Sequence, residues 1–286
     1  MSISIVTVTY NSSLIINRFL ESISNQLDIK NIELIIIDNN SPDQHILKRI
    51  IQKHKKKHPD ISVTAIYKND NLGFGVSCNY GALLSNYENV LFLNPDTILT
   101  RKSLSILLKD SQKNVADICG GMCIHMDSKD IHRTVFKKPT FQTMIFEFSN
   151  LGKILGISGQ FYHNQLQIEK DQIVDGVGGA YLLIKKNIFK QLGGFDRNIF
   201  MYLEDVDLCV RARRLGMKIV YCPHSVIQHV GGASSSNKYR IVQKAWFESR
   251  EYYAKKHFSK IQSVILVTLY RVERFLLSIR QLLKDI

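Results

Sequence analysis

The 286-residue chain has little of what marks non-globular proteins: only five prolines and sixteen glycines. That composition excludes collagen-like and disordered classes, and no internal repeat or low-complexity tract interrupts it. No uncharged apolar run reaches the roughly 18 residues needed to cross a bilayer, so no spanning helix is expected. The five cysteines, Cys78, Cys119, Cys123, Cys209 and Cys222, form no CxxC motif, and no second pair completes a zinc site. Reduced, mostly buried thiols in a cytosolic protein fit that scatter best. Residues 1–9 carry no basic n-region and read as a strand, so no signal peptide is expected here. The first strand-to-helix turn, Thr9-Tyr10-Asn11-Ser12, has no glycine fingerprint, which counts against a dinucleotide-binding oxidoreductase. Zinc-finger, helix-turn-helix and RNP-like patterns are also missing, so no nucleic-acid partner is expected despite a formal charge of +13. Acidic lipid or a phosphorylated substrate remains as the anionic partner. The densest basic run, Lys53 and Lys55 to Lys57, reads as a solvated helix face.

What is present is a chain that is 45% hydrophobic, enough to bury a sizeable core in one large domain or a domain with an appendage. Its first half alternates two periods. Short apolar runs at Ile3–Thr9, Glu33–Ile37, Ser62–Tyr67 and Val90–Leu93 read as strands. Between them, Leu14 to Ile23, Leu47 to Ile51 and Val76 to Ser85 recur at helical spacing. Continuous apolar strands separated by amphipathic helices predict a mostly parallel sheet covered on both faces. Such sheets bind ligands beyond the carboxyl ends of their strands. From about Asp127 to Asp175 the periodicity weakens, which suits a lid or binding loop. Order returns over 176–230, and the tail from about Ala245 is helical in pattern.

Polar clusters follow the predicted strands: Thr9-Tyr10-Asn11, Asp38-Asn39-Asn40-Ser41 and Asn94-Pro95-Asp96, with Glu204-Asp205-Val206-Asp207 in the second half. An apolar strand that ends in Asp puts a carboxylate at the ligand edge. Each cluster also has a plainer reading. Asp38 can be a turn residue or helix cap, Asn-Pro-Asp an ordinary turn, and the acids at 204–207 the helix N-terminal charge that the macrodipole favours. Gly73 and Gly75 let backbone approach a ligand closely, or serve a simple turn. A lone histidine such as His229 is more often structural.

The stretches VTVTYN (6–11), IIIDNNSPD (35–43), NLGFGVSCNYG (71–81), LFLNPDT (91–97), GVGGAYLLIKK (176–186), GGFDRNIFMYLEDVDLCVRARRLG (193–216) and HSVIQHVGG (224–232) together resemble glycosyltransferase family 2, and within it the bacterial rhamnosyltransferase-like branch. The resemblance implies a GT-A fold: a Rossmann-like α/β sheet flanked by helices, here with a C-terminal helical extension. It implies a catalytic domain over 1–240, divided into a nucleotide-binding half (1–115) and an acceptor half (116–240), with the extension at 241–286. It implies an inverting transferase that uses Mg²⁺ or Mn²⁺ and a dTDP- or UDP-sugar donor. The acceptor would be a glycan or a polyprenyl-diphosphate-linked glycan. Asp38 then accepts from the imide of the nucleobase. Thr9, Tyr10, Asn11, Asn40, Asn71, Gly73, Asn79, Asn94, Asp175 and Gly179 line the nucleotide-sugar cleft. Many relatives carry Asp-x-Asp where this chain has Asn94-Pro95-Asp96, so Asp96 is the carboxylate left to hold the metal, with His229 of the H-x-G-G setting as second ligand. Asp205 becomes the general base and Glu204 its neighbour at the acceptor, while Asp207 orients the helix or pairs with Arg211. Asp175 near the donor sugar competes with a strand-entry role.

In the tail, Ile261, Val264, Ile265, Leu269, Val272, Phe275, Leu276, Ile279, Leu282 and Leu283 form a wide apolar stripe, interleaved with Arg271, Arg274, Arg280 and Lys284. The stripe suits packing on the catalytic domain, a dimer contact, or peripheral contact with a membrane through 261–286. A lipid-linked acceptor would place the protein in the cytoplasm, at the inner face of the cell membrane.

Overall fold

The computed structural model describes residues 1–128, 130–157, 159–229 and 239–282. Gly231 and Gly232 of the H-x-G-G setting, and Leu283 and Lys284 of the tail, lie outside the described residues. The first half alternates as expected: β1 (Ser2–Thr9), α1 (Ile16–Ser24), β2 (Asn31–Asp38), α2 (Gln44–Lys57), β3 (Ser62–Tyr67), α3 (Phe74–Leu84) and β4 (Asn89–Leu93). It continues with β5 (Thr97–Leu99), α4 (Ser103–Lys113) and β6 (Ile118–His125). The weakly periodic region holds only short pieces: β7 (Ile131–His132), β8 (Val135–Phe136), α5 (Phe141–Phe146), α6 (Leu151–Leu155) and β9 (Gln172–Ile173). Then come β10 (Gly176–Val177), β11 (Tyr181–Lys185), α7 (Lys186–Gln191), α8 (Glu204–Arg214), β12 (Ile219–His229), α9 (Tyr239–His257) and α10 (Lys260–Leu282).

The main sheet has the order β3-β2-β1-β4-β11-β6-β12-β5. β3, β2, β1 and β4 are parallel, β11 runs antiparallel between β4 and β6, and β12 lies parallel to β6. The chain leaves β1 toward β2 on one side and returns to β4 on the other, so the crevice at the carboxyl ends of β1 and β4 is the switch point where such sheets take ligands.

Strand period 2 divides each apolar run between two cores. Ile3, Ile5, Leu34 and Ile36 face Phe19, Leu20, Leu47 and Leu107 of α1, α2 and α4. Val6, Val8, Ile35 and Ile37 face Cys78 and Ala82 of α3, Val206 of α8, and Phe247, Tyr253, Leu266 and Tyr270 of α9 and α10. Because the sheet is buried on both faces, its strands read as continuous rather than alternating hydrophobics.

The tail therefore shares the core on this face of the sheet. The boundary expected at 240/241 falls inside the first turn of α9. Arg250 of α9 is fully buried and locks the two last helices together through Glu273, 3.0 Å away, and the ring of Tyr270. The face that α10 turns inward is Ser263, Leu266, Val267 and Tyr270. Ile261, Val264, Ile265, Val272, Phe275, Leu276 and Ile279 of the apolar stripe stay exposed. Among the described residues, no helix is long and apolar enough to cross a membrane.

Candidate active site

All the strand-end clusters meet at one edge of the sheet. The β1 and β2 ends are knitted together: Asn39 N–H donates to the Thr9 carbonyl at 2.9 Å, and Asn11 N–H to Ser41 Oγ at 2.9 Å. Asn11 and Asn40 both take left-handed φ, 55° and 64°, a conformation Asn tolerates better than most residues.

The carboxylate of Asp38, expected at the nucleobase, sits at the end of β2 among local donors. It is fully buried and accepts from Thr9 Oγ1 (2.9 Å), Ser41 Oγ (2.5 Å), Ser41 N–H (3.0 Å) and Gln44 Nε2 (3.0 Å). These four bonds also tie Asp38 into the 38–44 turn. Asn39, which sequence reasoning passed over, is the side chain that reaches across the crevice. It donates to Asn71 Oδ1 and the Gly73 carbonyl, and accepts from Leu72 N–H and Ser77 Oγ. Asn71 is thereby held in the loop that opens α3.

Gly73 has φ 88°, and a Cβ there would lie 2.2 Å from the Phe200 carbonyl oxygen. Phe74 N–H donates to that same oxygen at 3.0 Å. The loop of 71–74 is thus fastened to the chain entering α8. Asn79, on α3, faces the 193–195 segment. Its amide forms two 2.8 Å bonds with the backbone of Phe195, one donated and one accepted, and clamps α3 to the 193–195 turn. Asp175, just before β10, accepts from Lys138 N–H at 2.9 Å.

Asp96 and His229 come together as expected. β12 pairs with β5 so that His229 stands opposite Thr97. Asp96 Oδ1 then lies 3.1 Å from His229 Nε2, with both side chains more than nine-tenths buried. Two further histidines join them. His229 is the register partner of His125, and His132 is that of Cys123, two residues before His125. Period 2 therefore puts all three rings on one face, where His132 packs 4.7 Å edge-on against His229 and 4.8 Å from His125. Burial, with the neighbouring imidazoles, lowers His132 to about 4, so it is neutral at pH 7. His125 and His132 lie far apart from His229 in sequence, and only strand pairing unites them.

The donor set suits a divalent cation. A carboxylate and an imidazole face one another, while His229 Nδ1, His132 Nδ1 and Asn94 Oδ1 are buried without a hydrogen-bond partner among the described residues. If Asp96 and His229 held such an ion, its remaining positions would go to substrate oxygens and water, the usual arrangement for Mg²⁺ and Mn²⁺ sites.

Two adjacent residues tie this corner to the acidic one. Asn94 N–H donates to the Ala180 carbonyl (3.1 Å), and Gly179 N–H donates to Asp205 Oδ2 (2.8 Å). A Cβ on Gly179 would lie 3.4 Å from that of Asp205, so the glycine lets strand and helix approach closely. Asp205 Oδ1 also accepts from Val206 N–H at 2.8 Å. Tyr202 and Leu203, just before α8, both have left-handed φ, 71° and 67°. Such backbone costs about 1–3 kcal/mol per residue and persists only where surroundings enforce it. Here Phe74 holds the Phe200 carbonyl, and Ser249 Oγ holds the Met201 carbonyl at 2.8 Å.

The acids divide by environment. Burial, then the charge of Asp205, pushes Glu204 up to about 8, and Glu204 Oε2 has no partner among the described residues. Burial raises Asp205 too, against the pull of the Gly179, Val206 and Asp205 amides. Asp207 faces the other way, fully buried, 2.8 Å from Arg211, 2.7 Å from His257 and 2.6 Å from Lys256. Although burial opposes it, hydrogen bonding to His257 and the cations holds Asp207 well below the usual carboxylate range. Arg211 also donates to the Leu192 and Gly194 carbonyls at 2.6 and 2.7 Å, so both members of that pair are structural.

A doubly covered sheet of this order, with a carboxylate–imidazole corner beside a buried acidic helix start, defines the GT-A class of glycosyltransferases. The chain belongs to glycosyl transferase family 2, whose family model matches residues 4–193. It is 27% identical over 278 residues to "Rhamnosyltransferase WbbL" of Escherichia coli (strain K12), covering 91% of this chain and 98% of the relative. It is 24% identical over 245 residues to "N-acetylglucosaminyl-diphospho-decaprenol L-rhamnosyltransferase" of Mycobacterium tuberculosis, covering 79% and 75% of the two chains. Its fold is shared by a mannosyltransferase of Pyrobaculum calidifontis, solved in complex with GDP-Man and Mn²⁺. That likeness has a TM-score of 0.62 at 14% identity, over 93% of this chain and 69% of that one.

Proposed function

We propose that this glycosyltransferase inverts the anomeric centre in one displacement, with Asp205 as general base, and moves rhamnose from dTDP-rhamnose to a polyprenyl-diphosphate-linked glycan. The observation that carries it is the pairing of functions across Gly179 and Ala180: a base-competent carboxylate on one side, the Asn94–Asp96 corner on the other. Inversion needs a base on the face opposite the departing diphosphate. Asp205 takes the acceptor hydroxyl's proton as that oxygen bonds to the anomeric carbon. Glu204, protonated, is a hydrogen-bond donor to the acceptor. Mg²⁺ or Mn²⁺ held by Asp96 and His229 would neutralise charge on the leaving nucleoside diphosphate.

The donor half, 1–115, supplies the Thr9–Asn11, Asn40 and Asn71–Gly73 loops that line the nucleotide side; the acceptor half supplies Gly179 and α8. Rhamnose is suggested by the names of both rhamnosyltransferase relatives, and a prenyl diphosphate by that of the mycobacterial one. A UDP-hexose donor is the alternative within the same site, and assembly of a bacterial surface polysaccharide is the setting for either.

The helical extension from 241 onward supports a membrane-surface role at the cytoplasmic face. Its exposed stripe includes Phe275 and Leu276, 65% and 59% exposed. Beside it a groove of about 510 Å³ between α9 and α10 combines Lys255, Lys260 and Arg271 with Val264 and Val267. Apolar side chains flanked by cations suit the boundary of an anionic leaflet. The test of function is a donor screen: dTDP- and UDP-sugars offered with Mn²⁺ or Mg²⁺ and a prenyl-linked acceptor, following nucleoside diphosphate release. Turnover with dTDP-rhamnose is expected; release from none of the donors would refute the proposal.

A further inference from the structure

Outside the cleft, α1 and α2 bring together a second set of metal-ligating side chains. Glu21, His54 and His58 each offer a ligand atom, and these atoms lie within 4.8 Å of one another. α2 starts at the carboxyl edge after β2 and runs back along the sheet. His54 is ten residues beyond Gln44, about 15 Å along the axis at 1.5 Å per residue. This cluster is therefore at the far edge from Asp96 and Asp205.

The geometry suits a borderline transition ion rather than a hard one. His54 and His58 are four residues apart, on one side of the helix end, with ring centroids 4.7 Å apart. Glu21 Oε2 lies 3.6 Å from His58 Nε2. Two ligands about 2.0–2.1 Å from a tetrahedral Zn²⁺ are roughly 3.3 Å apart, so that edge of the polyhedron is nearly formed. His58 Nε2 is itself buried and has no hydrogen-bond partner among the described residues, a vacancy that a metal bond would fill. A nitrogen, nitrogen, oxygen set of this kind selects zinc-class ions over Mg²⁺.

The present partner of Glu21 is Lys57, 2.8 Å from both carboxylate oxygens. Lys57 is 56% exposed, and an exposed ion pair of this kind adds little to stability, so it can yield to a divalent ion. The other cluster, Asp110, Asp171 and Cys222, is less suited. Asp171 is already bonded to Asn114 at 2.8 Å, and contact with Cys119, then burial, raises the Cys222 thiol far from thiolate.

We propose that Glu21, His54 and His58 form a Zn²⁺ site that staples α1 to α2, separate from the catalytic cation. The test is calorimetric titration of the chelator-treated full chain with Zn²⁺, in an Asp96→Asn background that disables the cleft, with thermal unfolding alongside. Zn²⁺ should bind and raise Tm. His58→Gln should weaken binding by more than about tenfold, as loss of a metal's supporting contacts typically does, and Lys57→Gln should tighten it. His58→Gln in the otherwise unaltered protein should leave Mg²⁺-supported transfer unchanged. If His58→Gln and Lys57→Gln both bind Zn²⁺ as the parent does, or if Zn²⁺ leaves Tm unmoved, the proposal is overturned.

Discussion

Glu204 offers the sharpest test of how the acidic corner is built. Its side chain is 8% exposed, one carboxyl oxygen lacks a partner among the described residues, and Asp205 is the next residue. Burial and that neighbour move its carboxyl from 4.5 to about 8. Between those two values the folded chain keeps a proton that the unfolded chain has released, so stability falls as pH rises through the window. Each tenfold change in proton affinity is worth about 1.4 kcal/mol, so the penalty at pH 8 is at most about 5 kcal/mol. At about 2–4 °C per kcal/mol for a chain of this size, that is a Tm difference of up to ten degrees or more. Glu204→Gln has nearly the same shape and never ionises. Thermal unfolding by circular dichroism at pH 5, 6, 7 and 8, in metal-free buffer, should find the two proteins alike near pH 5. The variant should then be progressively more stable, because it is spared the cost of ionising a buried acid. Tm curves that stay parallel across this range would refute the reasoning.

Other expected outcomes follow from the same geometry. Asp205→Asn should lower transfer by about 10²–10⁴-fold, the usual worth of a positioned base, while donor affinity by calorimetry stays near wild type; retained turnover would remove Asp205 from the base role. His229→Gln and Asp96→Asn should each weaken Mn²⁺ binding, read by paramagnetic resonance of free Mn²⁺ without any substrate present. Gly73→Ala, whose new Cβ would lie 2.2 Å from the Phe200 carbonyl at φ 88°, should lower Tm and raise KM for the donor together. Deleting 261–286 would strip Leu266 and Tyr270 from the shared core, so the membrane role is better tested by Phe275→Ser with Leu276→Ser. That pair should lose binding to anionic vesicles in sedimentation while Tm holds.

Much of the site is legible without coordinates because a parallel sheet has one ligand edge, and residues just after apolar runs must lie on it. Thr9, Asn40, Asn94 and Asp96 are readable on that ground. Position at an edge does not say which way a side chain turns. Asp38 and Asn79 stand at the expected places, and there their polar atoms bond the Ser41 turn and the Phe195 backbone. Such short-range competition leaves no mark in hydrophobic period. Asn39 belongs to the polar cluster after the second strand, but only the structure shows that its amide bonds the 71–77 segment.

The linear order of residues determined the layered α/β architecture, because period 2 and period 3.6 alternate over its first hundred residues and strands with two apolar faces must be covered twice. It also determined the chemistry at hand, through the acids and amides that end those runs. Tertiary structure alone decided the rest. Strand register brought His125 and His132 against His229. The pinned left-handed turn at Tyr202 and Leu203 aimed Glu204 and Asp205 into a buried corner. Packing chose Leu266 and Tyr270 as the inner face of α10 and left Phe275 outside. The physical reason is common to all three: periodicity tells which residues share a face, and only neighbours distant in the chain decide what that face meets.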